Sequence, residues 1–413
     1  MKIRKKYLFY TLAFASAFVG SLVVIVDAFI SERIITDPWA LGFACFLIGV
    51  PITLLIALFL SIPLGKKSLG GKVLDPSFKR IRFITRHELK YHLLAGLGNA
   101  TLTLGYFMLL SMLKDPSIVL PFSQVVILYL LVVESITEKN IPTLSEVQSS
   151  VIVTFGAILG SISLSGDISV ESLAIAFLII NPGWVLFTLY QRKLKMLKIR
   201  ERQNDSVNIR FWNVIFACLF SGIIILVYDT LFGSNHFIDA IFESMKHFEW
   251  IALTMSLTFF SYVFYIRALG LGKASVTQAV RSSTIIFVIP FSVLLASMGV
   301  IGMLLTDPAL ILIKIIGISL ILLGIISFAL TLVKAYIFIK VKPGYSIEGT
   351  MNKVWGIKGV NRVTATTGPY DIMAKIHIRT LVKGYERIIR KIEEIEGIKE
   401  YKWQSVLKEW EDI

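Results

Sequence analysis

Long apolar runs separated by short polar connections fill the first 332 residues of this 413-residue sequence. A bilayer core is about 30 Å thick, so an α-helix that rises 1.5 Å per residue needs about 20 apolar residues to cross it. The runs that approach or exceed this length predict ten membrane-spanning helices, at residues 7–30, 39–64, 91–113, 117–136, 147–164, 172–190, 211–232, 250–266, 274–298 and 309–332.

Lysine and arginine are distributed unevenly between the connections. Most lie before the first predicted span and in alternate connections, above all in residues 65–90 and 191–210. The other connections hold only Arg33, Lys114 and Lys246 among more numerous acidic residues. Because basic connections stay in the cytoplasm, the pattern predicts a multi-pass cell-membrane protein whose two termini are both cytoplasmic.

Composition supports a membrane protein. Hydrophobic residues make up 55% of the chain and charged residues 17%, whereas soluble proteins carry roughly 25% charged residues. The net charge of +14 would suit nucleic acid or an anionic membrane surface. Since the basic residues gather in the predicted cytoplasmic connections, we expect no nucleic-acid partner.

Residues that carry catalytic or metal chemistry are scattered. Cys45 and Cys218 both lie in apolar runs and predict neither a disulfide framework nor a thiolate metal site. The five histidines are dispersed, and the sequence has no phosphate-binding loop and no kinase or hydrolase pattern. We therefore expect no metal, no cofactor and no enzymatic activity.

A short pattern recurs in the two halves of the apolar region. Ser117-Ile-Val-Leu-Pro-Phe-Ser-Gln124 opens the fourth predicted span, and Ala274-Ser-Val-Thr-Gln-Ala-Val-Arg281 opens the ninth. A separation of five spans inverts the second copy, as in many secondary transporters that bind substrate between their halves. We predict an all-α membrane domain of two inverted five-helix repeats, residues 1–165 and 166–332.

Several short motifs follow one another in a recognisable order: Val19-Gly20-Ser21, Pro116-Ser117, Trp184-Val-Leu-Phe-Thr-Leu-Tyr-Gln-Arg192, Ala274-Ser275 and Gly317-Ile-Ser-Leu-Ile-Leu-Leu-Gly324. In this order they resemble the EamA-type members of the drug/metabolite transporter superfamily. Val19 replaces the family's usual Trp, and Asp27 stands where many members have Lys. The resemblance implies export or exchange of small metabolites and leaves the substrate open.

The tail, residues 334–408, has a different pattern. Short β-rich segments alternate with amphipathic helical segments in the order βαββαβ, which predicts a cytoplasmic ferredoxin-like α+β domain. Four motifs resemble the ligand-binding domain of the Lrp/AsnC family of amino-acid-responsive regulators: Val341-Lys-Pro-Gly344, Gly356-Ile-Lys-Gly-Val360, Gly368-Pro-Tyr-Asp371 and Glu396-Gly-Ile398. The resemblance implies a homodimer that binds an amino acid or a similar small molecule at its interface, with Gly368, Tyr370 and Asp371 as ligand-binding residues.

Arg281 is the most informative ionisable residue within the predicted spans. It lies about 10 Å into the ninth span, on one helix face with Thr277 and Thr284. Facing lipid, it would cost several kcal/mol, so we expect the three side chains to line a wet cavity where Arg281 binds a substrate carboxylate or phosphate. The alternative is a structural ion pair with Glu134 or Asp27.

Other polar faces are expected to reach the same cavity. Asn99, in the stripe Gly96-Asn99-Thr103-Tyr106, and Gln124, at the opening of the fourth span, are predicted polar contacts for the substrate. Trp184, next to a Pro-Gly break, is a predicted apolar wall. Helix packing through small and polar residues explains such faces equally well.

The remaining charged residues of the spans lie near predicted helix ends. Asp27 falls near the outer mouth, where it is either an interfacial carboxylate or part of a gate or substrate site. Glu134, Asp229 and Lys314 are interpreted as side chains that reach to the membrane surface.

Together these features favour a secondary transporter of a small polar metabolite, an amino acid or a derivative of one, that is regulated by its tail. Two alternatives stay open. The protein could be a membrane-tethered amino-acid sensor that transports nothing, or a flippase or transporter for lipid-linked or nucleotide sugars.

Overall fold

The computed structural model of the protein describes residues 5–113, 124–137, 144–161, 171, 174–199, 202–297, 308–329, 331–357, 359–380 and 384–405. The chain divides into two compact units, residues 1–325 and 326–413. The first is helical and the second is mainly an α+β domain, as the sequence predicts.

The helices of the first unit follow one another with short connections: α1 Lys5–Arg33, α2 Pro38–Leu60, α3 Leu69–Val73, α4 Arg86–Leu113, α5 Val126–Thr137, α6 Leu144–Ser161, α7 Asn181–Met196, α8 Ser206–Phe232, α9 His236–Lys246, α10 Phe248–Leu269, α11 Ala274–Arg281, α12 Thr284–Ser297 and α13 Pro308–Ala329. Two small hairpins join the longer helices: β1 Pro63–Leu64 with β2 Lys67–Ser68, and β3 Lys198–Ile199 with β4 Arg202–Gln203. Among the described residues, five helices are long and apolar enough to cross a membrane: Tyr7–Arg33, Pro38–Leu60, Arg86–Met112, Ser206–Phe232 and Phe248–Leu269.

The expected single helix over residues 274–298 is two helices, because the chain turns at Ser282-Ser283. The Ser282 hydroxyl donates to the carbonyl of Ala279 at 2.5 Å, and that of Thr284 to the carbonyl of Arg281 at 2.7 Å. Hydroxyls that bond local carbonyls compete with the helical ladder. The turn leaves Arg281 as the last residue of α11.

The Asn181-Pro182-Gly183 segment changes the helix without ending it. A π-helical segment, Ile175–Ile180, leads directly into α7, and the Asn181 side chain donates to the carbonyl of Ala176 at 2.8 Å. Proline has no backbone N–H to donate to the helical ladder, and a π-helical turn lets the helix continue past it. A Cβ on Gly183 would lie 3.0 Å from the carbonyl oxygen of Gly98, so the two glycines let α7 and α4 pack closely.

A buried ionic cluster joins the connection between α3 and α4 to the end of α7 and the start of α8. Lys195 Nζ lies 2.6 Å from Asp75 Oδ2, which also accepts from the Ser206 backbone N–H at 2.8 Å. Arg82 Nη2 donates to Glu88 Oε1 at 2.6 Å nearby. The sequence places Lys195 in a polar connection; this is wrong, because α7 extends to Met196 and Lys195 is only 4% exposed.

The second unit contains the elements β5 Thr331–Val341, α14 Ile347–Trp355, β6 Val360–Ala365, β7 Ile372–Thr380, α15 Gly384–Glu393 and β8 Ile398–Ser405. Its four strands form an antiparallel sheet in the order β6-β7-β5-β8. The βαββαβ order and this sheet are consistent with the predicted ferredoxin-like domain.

The core of this unit follows the alternation of β5. Ala335, Ile337 and Ile339 point to one face of the sheet and are fully buried. They pack in one apolar cluster with Ile388 and Ile392, which share a face of α15 at a spacing of four residues.

Candidate functional site

The first unit contains a cavity of about 130 Å³ that is lined by apolar, aromatic, polar and charged side chains. Six of the seven side chains that the sequence predicts at a substrate site line it: Asp27, Asn99, Gln124, Trp184, Arg281 and Thr284. The seventh, Thr277, does not. Its hydroxyl donates to the carbonyl of Lys273 at 2.7 Å, and the prediction that it lines the cavity is wrong.

The guanidinium of Arg281 is surrounded by aromatic rings. Its central carbon lies 4.9 Å from the ring centroid of Trp184, 4.8 Å from that of Tyr262 and 4.7 Å from that of Tyr265. Such contacts stabilise a cation while leaving its N–H groups available. Nη1 of Arg281 is buried and has no hydrogen-bond partner among the described residues.

The alternative role of Arg281, a structural ion pair, finds no counterpart in the described part of the chain. Glu134 lies elsewhere: its carboxylate pairs with Arg192 at 3.0 Å and accepts from the backbone N–H groups of Ala274 and Ser275 at 2.6 and 3.0 Å. It therefore caps α11 at the helix terminus that attracts negative charge. The interpretation that Glu134 reaches to the membrane surface is wrong, because it is 5% exposed.

Asp229 is also a capping residue. Its Oδ1 accepts from the Ser234 hydroxyl at 2.7 Å, and its Oδ2 accepts from the backbone N–H of Phe237 at 2.8 Å. These bonds join the end of α8 to the start of α9. The side chain of Lys314, and residues Ser117 and Pro121 of the fourth predicted span, lie outside what the structure describes.

A second arginine, Arg210, lines the same cavity and was not predicted there. It is 1% exposed, and its guanidinium carbon lies 4.5 Å from the ring centroid of Tyr262. Its Nη1 donates to Asn213 Oδ1 at 3.3 Å, and its Nε is buried without a partner among the described residues. The Tyr262 ring therefore contacts both guanidinium groups of the cavity.

Sequence reasoning missed Arg210 because residues 191–210 look like one basic connection. The helix in fact begins at Ser206, where the Asp205 side chain accepts from the backbone N–H of Asn208 at 2.7 Å. An Asp before an apolar run is a helix-start signal. Applied here, that signal would have placed Arg210 inside a helix.

Asn99 acts next to this arginine. Its side-chain amide donates at 2.9 Å to the same Asn213 Oδ1 that accepts from Arg210. A second polar chain runs through Gln124, since Gln278 Nε2 donates to Gln124 Oε1 at 3.3 Å and Tyr265 donates to Gln278 Oε1 at 3.0 Å. These bonds fix the polar walls of the cavity.

Asp27 supplies a carboxylate to the cavity. It is 8% exposed, and its Oδ1 accepts from the Thr254 hydroxyl at 2.5 Å. Of its two predicted settings, the structure places it in the cavity lining rather than at an exposed interface. The cavity thus carries two guanidinium groups and one carboxylate, with apolar and aromatic side chains between them.

In the second unit, the predicted ligand residues lie in the connection between β6 and β7. Gly368 has φ +141°, a conformation that favours glycine, and the Tyr370 ring lies 5.8 Å from that of Phe338. Asp371 Oδ2 accepts from the backbone N–H of Val341 at 2.8 Å. Asp371 therefore fixes this turn to β5, and ligand contact by the three residues stays a prediction.

Comparisons with known proteins bear on the tail. No curated protein matches the chain. A solved structure titled "Crystal structure of protein" has 13% sequence identity and a TM-score of 0.45, covering 77% of this chain and 95% of that chain; this likeness is too weak to establish a shared fold. A family model described as the Lrp/AsnC ligand binding domain matches residues 334–412. The C-terminal part of the chain is therefore an Lrp/AsnC ligand-binding domain.

Proposed function

We propose that the protein is a secondary transporter of a compact polar metabolite, an amino acid or a derivative of one. The observation that carries the proposal is a cavity between apolar helices that is lined by two arginines and one aspartate. One of these arginines, Arg281, has a buried Nη1 without a hydrogen-bond partner among the described residues. Ionisable residues within membrane helices are costly and mark substrate or ion paths. Arg281 is the anion clamp of this proposal, and Trp184 is its apolar wall.

The proposal includes a topology. Ten helices cross the cell membrane as two inverted five-helix repeats, and both termini lie in the cytoplasm. The uneven distribution of lysine and arginine supports the orientation, and the motifs of residues 1–332 support an EamA-type relationship. The tail then lies on the cytoplasmic side, where it dimerises, binds an amino acid and regulates transport.

The two alternatives are not equally supported. Ligand pockets for drug-sized molecules usually measure about 300–1,000 Å³, and the cavity here is about 130 Å³. This size disfavours lipid-linked and nucleotide sugars. A sensor that transports nothing is favoured by one observation, the Lrp/AsnC domain at residues 334–412.

Flux measurements separate these functions. Purified full-length protein is reconstituted into vesicles loaded with radiolabelled amino acids, dicarboxylates or nucleotide sugars, and efflux is followed with and without an external counter-substrate. We expect exchange of at least one compact amino acid. Amino-acid binding without flux of any compound would identify a sensor, and flux confined to sugar conjugates would identify the flippase class.

A further inference from the structure

The ionisable groups of the cavity define a charge pattern. Arg210 and Arg281 both contact the ring of Tyr262, at 4.5 and 4.8 Å from its centroid. Their guanidinium carbons are therefore no more than about 9.3 Å apart. Arginine keeps its charge in proteins, and none of the ion pairs among the described residues joins a carboxylate to Arg210 or Arg281. Two neighbouring cations call for two anionic groups in a ligand.

The carboxylate of the cavity, Asp27, lies further along α1 than the position that faces Arg281. A Cβ on Gly20 of α1 would lie 4.0 Å from Nη2 of Arg281. Asp27 is seven residues further along the same helix, on the same face and about 10 Å away at 1.5 Å per residue. Charge-assisted hydrogen bonds are about 2.8 Å long, so one compact molecule can contact the guanidinium and the carboxylate at opposite ends.

Asp27 also has capacity to bind a donor. The Thr254 hydroxyl occupies one acceptor position of its carboxylate, and an ionised carboxylate offers about four such positions. An ammonium group carries three donors and no acceptor, which complements this end of the cavity. A ligand with only negative charges would face repulsion there.

Resting on the proposed function, we propose that the cavity selects acidic amino acids, whose two carboxylates bind Arg210 and Arg281 and whose ammonium group binds Asp27. Each charged group of the ligand then has one partner of opposite sign. A neutral amino acid would leave one arginine without an anion. A dicarboxylate that lacks the amino group would leave Asp27 opposed to negative charge.

Equilibrium binding of radiolabelled L-glutamate to the purified full-length protein in detergent tests this. The full-length protein has two candidate sites for glutamate, the cavity and the tail. Binding that is lost in Arg281→Gln and in Arg210→Gln is assigned to the cavity, and binding that both variants keep is assigned to the tail. Arg80→Gln, an exposed arginine outside the cavity, is the matched control and keeps the full signal. If Arg210→Gln does not fold, the part of the signal lost in Arg281→Gln alone defines the cavity's share, and competition by other compounds tests the proposal without an Arg210 variant.

We expect L-aspartate or L-glutamate to displace the glutamate bound in the cavity at concentrations at least about tenfold lower than L-asparagine, L-glutamine or glutarate do. A tenfold loss of affinity is what the absence of one charged hydrogen bond should cause. Asp27→Asn should reduce the preference for glutamate over glutarate. Equal competition by glutamine, or a signal unchanged in both arginine variants, would overturn the acidic class while transport of another amino acid could still stand. Selective binding of glutamate without flux in vesicles supports this site and overturns the transport proposal instead.

Discussion

The ammonium nitrogen of Lys195 lies 2.6 Å from Oδ2 of Asp75, and both side chains are buried. The two residues are 120 positions apart in the sequence: Asp75 lies in the connection between α3 and α4, and Lys195 lies in the last turn of α7. Burial alone would raise the pKa of Asp75, but Lys195 and the backbone N–H groups of Ser206 and Ser77 outweigh it and lower that pKa to about 2.

This pair gives the stability of the protein a specific pH dependence. The pKa of Asp75 falls from 3.8 to about 2 on folding. At pH values above 3.8, the pair therefore contributes about 2 kcal/mol to the free energy of unfolding. That contribution is lost as the pH falls from about 4 to about 2. At pH 7, Asp75→Asn should lower the free energy of unfolding by about 3–5 kcal/mol, because Lys195 stays buried without its anion.

Thermal unfolding of the purified protein in detergent, from pH 7 down to pH 2, measures this effect. The difference in Tm between wild type and Asp75→Asn should be large at pH 7 and should shrink below pH 4. Asp239→Asn, which changes an exposed carboxylate, is the control and should follow the wild type throughout. A difference that does not change with pH would contradict the linkage.

Arg281→Met should lower the rate of transport of an anionic substrate by about tenfold or more while the protein still folds. Methionine keeps an apolar stem among the rings of Trp184, Tyr262 and Tyr265, but it cannot donate a hydrogen bond. Losing a charged hydrogen bond to the substrate corresponds to a rate of flux that is lower by about tenfold or more. Initial rates of flux in vesicles measure this change. The surface variant Arg80→Met should transport at the wild-type rate, and wild-type flux by Arg281→Met would refute the clamp.

The orientation can be tested by cysteine labelling. The chain has two cysteines, so Cys45→Ser with Cys218→Ser gives a background for single cysteines. The predicted topology places Asp239 outside the cell and Lys198 inside. A membrane-impermeant maleimide should label Asp239→Cys in intact cells and Lys198→Cys only after permeabilisation. The reverse pattern would overturn the positive-inside assignment.

Polar residues at helical spacing allowed most of the cavity to be predicted from the sequence. Asn99, Gln124 and Arg281 could be found because a polar face on a membrane helix has few places to go. Arg210 could not, because the polar first turn of its helix resembles a connection. Sequence spacing also says nothing about Glu134, whose partners Arg192 and Ala274 are brought to it only by tertiary packing.

The order of strands and helices in the tail was easier to predict than the membrane site. Its strands alternate apolar and polar residues, and a helix such as α15 repeats apolar residues every three or four positions. The part played by Asp371 was not visible in the same way. Its carboxylate bonds the backbone N–H of Val341, a contact that depends on the pairing of β5 with β7.

The tail follows the helical unit closely along the chain, since α13 ends at Ala329 and β5 begins at Thr331. Such a connection can transmit a displacement that a long flexible linker would absorb. Regulation also requires that the tail's ligand bind more tightly when the transporter is in one state than in another. The coupling free energy in such systems is usually about 1–3 kcal/mol, which corresponds to a change in affinity of about 5–150-fold.

We therefore predict that a stop after Ala329 leaves transport intact but removes its dependence on amino acid at the cytoplasmic face. Asp371→Ala should have the same effect, because it frees the end of β5 from the turn, whereas Lys353→Ala, an exposed change on α14, should not. The measurement is flux against cytoplasmic-side amino-acid concentration in vesicles, for each variant at equal protein content. Regulation would be established if flux through the full-length protein changes with amino-acid concentration and flux through the truncated protein does not. Identical curves for the two would mean that the tail assembles the protein without controlling it.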